Sequence, residues 1–276
     1  MKLALDHLTI IDATPIDLVR AAEATQCESF CLFMQSLDVL PRMPEFNLIG
    51  NSAEQRELKA AMQAASVKLD VAYPFTLGGR TDVKDFQPGL ECAAFLEAEF
   101  VNALVYDRDD ARREDNFLTF AEMAQQQGLK VVVEFFPASQ IVSLDDALAL
   151  VRLADRPYEV GVNIDLLHLM RSGAALEDLK AAPDAFILFA QICDAPLEPH
   201  LTRDEEASAQ RSLAGEGGFD LPGFVAALPF HCKMSVEIPQ ENAILLGESV
   251  IERAQNAVRS VQQICYRYTT VNKTAF

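Results

Sequence analysis

The chain has 276 residues, of which 41 are acidic and 23 basic, giving a formal net charge of -18. A surface of that sign repels a polyanion and argues against a nucleic-acid partner. Half the residues are hydrophobic, enough to bury a large core and too many for a disordered tail. The six cysteines, Cys27, Cys31, Cys92, Cys193, Cys232 and Cys265, show neither metal-finger nor redox spacing. Scattered thiols in a chain of this length fit a reducing compartment, most of them as core filler. Asp6, Asp12 and Asp17 interrupt the N-terminal stretch, so no secretion signal is read there. No run reaches the ~18 apolar residues that a membrane span needs. The expectation is a cytoplasmic chain with no membrane partner.

In chain order, the apolar runs 3–10, 29–34, 67–73 and 101–106 read as strands, followed by 131–133, 160–164, 186–190 and 234–236. Apolar residues on consecutive positions suit strands buried on both faces, as in a parallel sheet. Helix signals fall between them. Thr14-Pro15-Ile16-Asp17 supplies a cap, a first-turn proline and an acidic third position. Residues 114–127 form a helix stopped by Gly128, Ser143 caps a helix with Asp145 and Asp146 in its first turn, and 249–266 is a long closing helix. Two stretches are irregular, 37–54 and 194–219. An alternation of about eight strands and helices in a chain this long predicts a single (β/α)8 barrel domain over 1–276. A doubly wound open sheet is the alternative, but no glycine-rich phosphate turn follows the first strand.

The polar residues that end the late strands carry the chemistry. Val131-Val132-Val133 runs into Glu134, and Val162-Asn163-Ile164 into Asp165. Phe189-Ala190 runs into Gln191, with Asp194 just beyond, and Met234-Ser235-Val236 into Glu237. One acid at a strand end is ordinary; oxygen ligands on successive strands are not. In a closed barrel these ends converge, and three carboxylates at one mouth repel each other unless a cation or bound protons neutralise them. Oxygen-rich ligation suits Mn²⁺ or Mg²⁺, with Co²⁺ or Zn²⁺ as further candidates. His168, three residues after Asp165, could face the same mouth, and Asp194 is read as a substrate contact. His7 is read as structural. Arg211 precedes a glycine-rich stretch, Gly215-Glu216-Gly217-Gly218, that permits close backbone approach to a ligand. Its guanidinium could clamp a carboxylate, phosphate or hydroxyl group.

These runs, V-V-V-E-F-F-P (131–137), N-I-D-L-L-H-L-M-R-S-G (163–173), F-A-Q-I-C-D-A-P (189–196), R-x-L-x-G-E-G (211–217) and M-S-V-E-I-P (234–239), resemble the xylose isomerase-like TIM barrels. More narrowly they are similar to the bacterial sugar phosphate isomerase/epimerase group. The resemblance lies mainly in 130–240 and specifies substrate poorly. It implies metal ligands at Glu134, Asp165, Gln191 and Glu237, with His168 and Arg211 toward the substrate. Many relatives have histidine where this chain has Gln191, a weaker, neutral ligand.

The resemblance implies a divalent-metal-dependent isomerase or epimerase acting on a ketose, sugar or sugar-like α-hydroxy carbonyl. Glu134 and Glu237 would exchange a proton with carbon through an enediolate. The same residue types would serve a dehydratase or lyase on a cyclic keto-polyol or keto acid, and a non-catalytic ligand-binding barrel is the third reading. The partner expected is a small sugar-like molecule, and the resemblance implies a homo-oligomer.

Overall fold

The computed structural model describes residues 2–273. Met1 and 274–276, part of the expected domain span, lie outside the described residues. Eight parallel strands close in sequence order: β1 (Ala4–Asp6), β2 (Ser29–Phe33), β3 (Lys68–Leu77), β4 (Phe100–Val105), β5 (Lys130–Glu134), β6 (Val160–Asp165), β7 (Ile187–Ile192) and β8 (Lys233–Val236). β8 pairs with β1 through Ala4 opposite Ser235 and Leu5 opposite Val236, so the ring has no open edge and the doubly wound alternative falls. Successive side chains of a strand face opposite sides, and the core divides accordingly. Val71, Phe100, Val132 and Phe189 pack inside the ring, whereas Val131 and Val133 pack outward against the helices. That double burial is why these strands read as unbroken apolar runs.

Local chemistry sets the boundaries. The Thr14 hydroxyl accepts the Asp17 N–H at 3.2 Å and starts helix Pro15–Ala24. Ser143 accepts the Asp146 N–H at 3.2 Å and starts Leu144–Leu153. Several of the differences from the expected bounds are explained by a cap. The first strand stops at Asp6, whose carboxylate accepts the Leu8 N–H at 3.0 Å and turns His7–Ile10 into a 3₁₀ helix. The helix expected from 114 begins at Asp110, capped by Asp109 on the Arg112 N–H at 2.9 Å. The first long loop ends at Asn51, which caps Ser52–Ala65, and the closing helix runs Val250–Lys273. The second irregular stretch contains one short helix, Arg203–Ser208. Among the described residues no helix is long and apolar enough to cross a membrane.

The end of the barrel where the strands begin is held by ions. The Lys233 ammonium lies 2.7 Å from Asp70 and 2.6 Å from Glu99. Lys130 reaches Glu99 at 3.0 Å, and the Ser29 hydroxyl donates to Asp70 at 2.6 Å. The candidate residues Glu134, Asp165, Gln191 and Glu237 lie at the opposite end, where the strands finish.

His7 is a structural residue of this ring. It is fully buried. Its Nε2 lies 3.0 Å from the Ala13 carbonyl, and its Nδ1 accepts the Phe33 N–H at 3.4 Å. Both contacts suit the neutral ring, and burial pushes its pKa down from 6.5 to about 4. The unfolded chain therefore binds this proton first, and the stability His7 supports is full above pH ~6.5 and lost as pH falls toward ~4. Replacing His7 by Gln should remove about 2 kcal/mol of the stability difference between pH 7 and pH 5. Urea unfolding of both proteins at the two pH values measures it; parallel losses would show that other groups carry the acid sensitivity.

Candidate active site

Strand register brings the late acids together. Glu134 ends β5, Asp165 ends β6, Gln191 lies one residue from the end of β7, and Glu237 follows β8. Asp165 stands opposite Gln191 across the β6–β7 ladder. Glu134, His168, Gln191, Arg211 and Glu237 line one cavity of about 640 Å³ at this mouth. Asp165 sits beneath it, fully buried behind the Arg211 guanidinium.

Each carboxylate has its own support. Asn102 donates to Glu134 at 2.7 Å, and His168 Nε2 lies 3.6 Å from the other Glu134 oxygen. Asp165 accepts the His168 backbone N–H at 3.2 Å as the cap of helix Leu166–Arg171. Its second oxygen is 2.8 Å from Arg211 Nη1 and 3.9 Å from His168 Nε2. Glu237 accepts from the Gln191 amide and lies 3.0 Å from Arg211 Nη2. A fourth acid, Asp6 at the end of β1, is buried beside them, accepting from the Tyr73 hydroxyl and, at 3.4 Å, from Ser235.

These four carboxylates face one guanidinium, and their proton affinities show the imbalance. Burial, with the charge of Asp165, pushes Glu134 up to about 8. Burial likewise raises Glu237 well above the carboxylate range, opposed by Arg211 and reinforced by Asp6. Asp6 is raised to about 6 by burial, against hydrogen bonds from Tyr73 and Leu8. Asp165 alone moves down: burial works against it, but the charges of Arg211 and His168 and two hydrogen bonds outweigh that. His168 is lowered to about 4 by burial, against the pull of Asp165.

Two residues expected to contact substrate, Arg211 and Asp194, are engaged by protein groups. Arg211 borders the cavity, yet its side chain is fully buried and all five N–H groups face protein acceptors. Nε reaches the Glu206 carbonyl at 3.3 Å; Nη1 reaches Asp165 at 2.8 Å and the Glu237 carbonyl at 3.3 Å. Nη2 reaches the Ala207 carbonyl at 2.9 Å and the Glu237 carboxylate at 3.0 Å. No donor is left over for a substrate. Asp194 does not join the cavity lining. Its carboxylate accepts the backbone N–H groups of Ala195, Gly215, Gly217 and Phe219 at 2.9, 2.9, 3.0 and 3.1 Å. It ties the glycine-rich segment to the end of β7. A Cβ on Gly217 would lie 2.2 Å from Asp194 Oδ1, so the glycines serve this cradle and not a ligand.

Three site residues were missed from sequence, Asp6, Asn102 and Asn163. Asn163 donates to Gln191 at 2.7 Å and stands 3.5 Å from the Asn102 carbonyl oxygen, so three amides link Glu134 to Glu237 across the floor. Both asparagines are isolated polar residues in apolar strands. Asn163, two before Asp165, shares its inward face by strand alternation.

The donor set fits a divalent cation. Ligand atoms of Glu134, Asp165 and His168 lie within 4.8 Å of one another, hard oxygens with one imidazole. The Asn163 side-chain oxygen is buried without a partner. End-for-end rotation of the Asn163 and Gln191 amides would let that oxygen accept from Gln191. It would also turn the Gln191 oxygen toward Glu237, two acceptors that a cation between them, or a proton on Glu237, reconciles.

A family model described as xylose isomerase-like TIM barrel matches residues 16–264, and the chain belongs to that family. Over 158 residues it is 29% identical to a 3-dehydroshikimate dehydratase of Pseudomonas aeruginosa, a match covering 55% of this chain and 24% of that relative. The chain thus spans about a quarter of the length of that curated relative. A solved IolI protein with a bound zinc atom aligns at a TM-score of 0.78 and 20% identity, covering 97% of this chain and 99% of that one. A D-allulose 3-epimerase of Methylomonas sp., solved with D-allulose, aligns at 0.68 and 13% identity over 95% and 96% of the two chains. At these identities the structural likeness concerns the fold.

The Asp194 cradle yields a direct expectation. Asp194→Asn turns an amide N–H toward backbone donors and should lower stability by roughly 2–4 kcal/mol. Asp204→Asn on the exposed rim should stay within about 0.5 kcal/mol. Denaturant titration of both variants decides it; equal stabilities would show that the four contacts hold nothing.

Proposed function

We propose that the chain is a divalent-metal-dependent isomerase or epimerase acting on a sugar-like α-hydroxy carbonyl compound. The observation that carries this reading is the pair of buried glutamates, Glu134 and Glu237. They come from strands three positions apart in the ring of eight and border one cavity. Both have raised proton affinity, Glu134 to about 8, and general acid–base transfer works best near the operating pH. Asn102 steadies one carboxylate, and Gln191 with Arg211 the other. One glutamate takes a proton from the carbon beside the carbonyl. The other returns a proton from its own side, either to the same carbon, inverting it, or to its neighbour, isomerising it. His168, beside Glu134 on the cavity wall, orients the hydroxyl group. Glu134, Asp165, Gln191 and Glu237 would hold a divalent cation, whose chemistry when bound would be Lewis-acid polarisation of the carbonyl.

A second reading, dehydratase or lyase, is favoured by the match to the Pseudomonas aeruginosa dehydratase. It needs the same proton abstraction, followed by loss of a β-hydroxyl as water.

Incubation with ketoses and cyclic keto-polyols in D₂O separates the two. Deuterium on carbon without an ultraviolet-absorbing enone supports the isomerase; enone with water loss supports the dehydratase. Glu134→Gln and Glu237→Gln should each lower the rate by roughly 10²–10⁴-fold while keeping the wild-type circular dichroism. Chelation should lower the melting temperature and Mn²⁺ restore it. Melting indifferent to chelation and Mn²⁺, with no reaction on either class of compound, would leave a ligand-binding barrel.

A further inference from the structure

The cavity's largely buried charged and amide groups, Glu134, His168, Gln191, Arg211 and Glu237, lie at its floor. Above Glu134 and Glu237 the wall is formed by Phe33, Leu37, Leu40, Leu104 and Phe136. These come from the ends of β2, β4 and β5 and from the loop after β2. The polar groups higher up are Thr76, Tyr106, Asp204 and Ser208, and Thr76, Tyr106 and Asp204 are exposed at the rim. A polyhydroxylated chain lying on this wall would lose water without gaining partners, at a cost for each unpaired hydroxyl.

Charge complementarity points the same way. Among the described residues, Arg211 and His168 are the only basic side chains on the lining. Every Arg211 N–H already faces a protein acceptor, and His168 faces Glu134 and Asp165. Asp204 adds a negative charge at the rim. A carboxylate or phosphate on the outer part of a substrate would find no cation there. The volume, about 640 Å³, lies within the range of about 300–1,000 Å³ that holds drug-sized ligands and leaves much of the cavity unfilled by a hydroxy-carbonyl group alone.

We propose that the substrate joins an α-hydroxy carbonyl head, held at the floor by Glu134 and Glu237, to an uncharged apolar or aryl body packed on the wall of Phe33, Leu37, Leu40, Leu104 and Phe136. This rests on the proton-transfer reading and narrows its substrate class.

Hydroxyacetone, 2-hydroxyacetophenone and the 4-carboxy derivative of 2-hydroxyacetophenone share the head and differ only in the body; D-fructose supplies a polyhydroxylated body. Binding of each to the full chain loaded with Mn²⁺ is measured by calorimetry, and exchange of the carbinol hydrogens into D₂O by NMR. The aryl ketone should bind roughly 10- to 100-fold more tightly than hydroxyacetone, as burial of a ring predicts. It should bind at least ~10-fold more tightly than its 4-carboxy derivative. In the Leu37→Asn/Leu40→Asn variant the ratio of the aryl ketone's affinity to that of hydroxyacetone should fall toward one. Equal affinities for hydroxyacetone and the aryl ketone, tighter binding of D-fructose, or no penalty for the carboxylate would overturn the proposal. Exchange of hydroxyacetone or D-fructose in that case leaves the proton-transfer reading standing. Tight aryl binding without exchange of any probe supports the wall's preference and sinks the proton-transfer reading; no binding of any probe removes both.

Discussion

Closure of the strand ring is the constraint from which the rest follows. An open sheet would spread the acids that end its strands along an edge. The ring turns them inward, so that Asp6, Glu134, Asp165 and Glu237 meet around the single guanidinium of Arg211. Like charges in a dry space must be neutralised by protons, by a basic group or by a metal. The protein uses the first two within its own chain. Arg211 holds Asp165 ionised, while burial leaves Glu134 and Glu237 holding their protons more strongly than ordinary carboxylates. That division gives neighbouring acids of the same chemical type different behaviour, which proton-transfer chemistry requires.

The two ends of the barrel solve the charge problem differently. At the start of the strands, Lys233 and Lys130 face Asp70 and Glu99 in a balanced cluster open to solvent at its margins. Cations and acids alternate there, and the result is a closure. At the finish of the strands the acids outnumber the cations, and three amides, Asn102, Asn163 and Gln191, fill the space between Glu134 and Glu237. Amides orient carboxylates without cancelling their charge. The surplus of acids is thereby confined to the mouth, and the base remains a structural seal.

Much of the fold was legible because β5 to β8 are buried on both faces and each has a polar residue at or beside its end. An apolar run such as 131–133 followed by Glu134 states both the strand and its finish. Caps such as Thr14 and Ser143 were readable because a short oxygen side chain precedes an acidic first turn. The shortness of β1 was not, since the bond from Leu8 to Asp6 that ends it competes invisibly with an apolar pattern running to Ile10. Candidate residues on strand ends met at the mouth; those on loops are held by protein partners. Arg211 and Asp194 looked alike as polar residues near glycines, but loop side chains take the partners that folding offers. Here those were Asp165 with Glu237 for the first, and backbone N–H groups for the second. The apolar wall was equally silent, because Leu37 and Leu40 reach the mouth from an irregular stretch without periodicity.

The Asp194 cradle has a bearing on how such a barrel can diversify. One carboxylate pins the end of β7 to the segment carrying Gly215, Gly217 and Phe219, and the backbone of Asp194 also bridges to Ser212. The stretch between is therefore a loop whose two ends are fastened to each other independently of its length. Residues 198–202 in its middle are exposed, and loop length adds little closure entropy once the ends are fixed. Insertions or grafts at 198–202 can reshape the rim of the cavity while the floor keeps its geometry, so that one set of acids can be offered to a succession of differently shaped compounds.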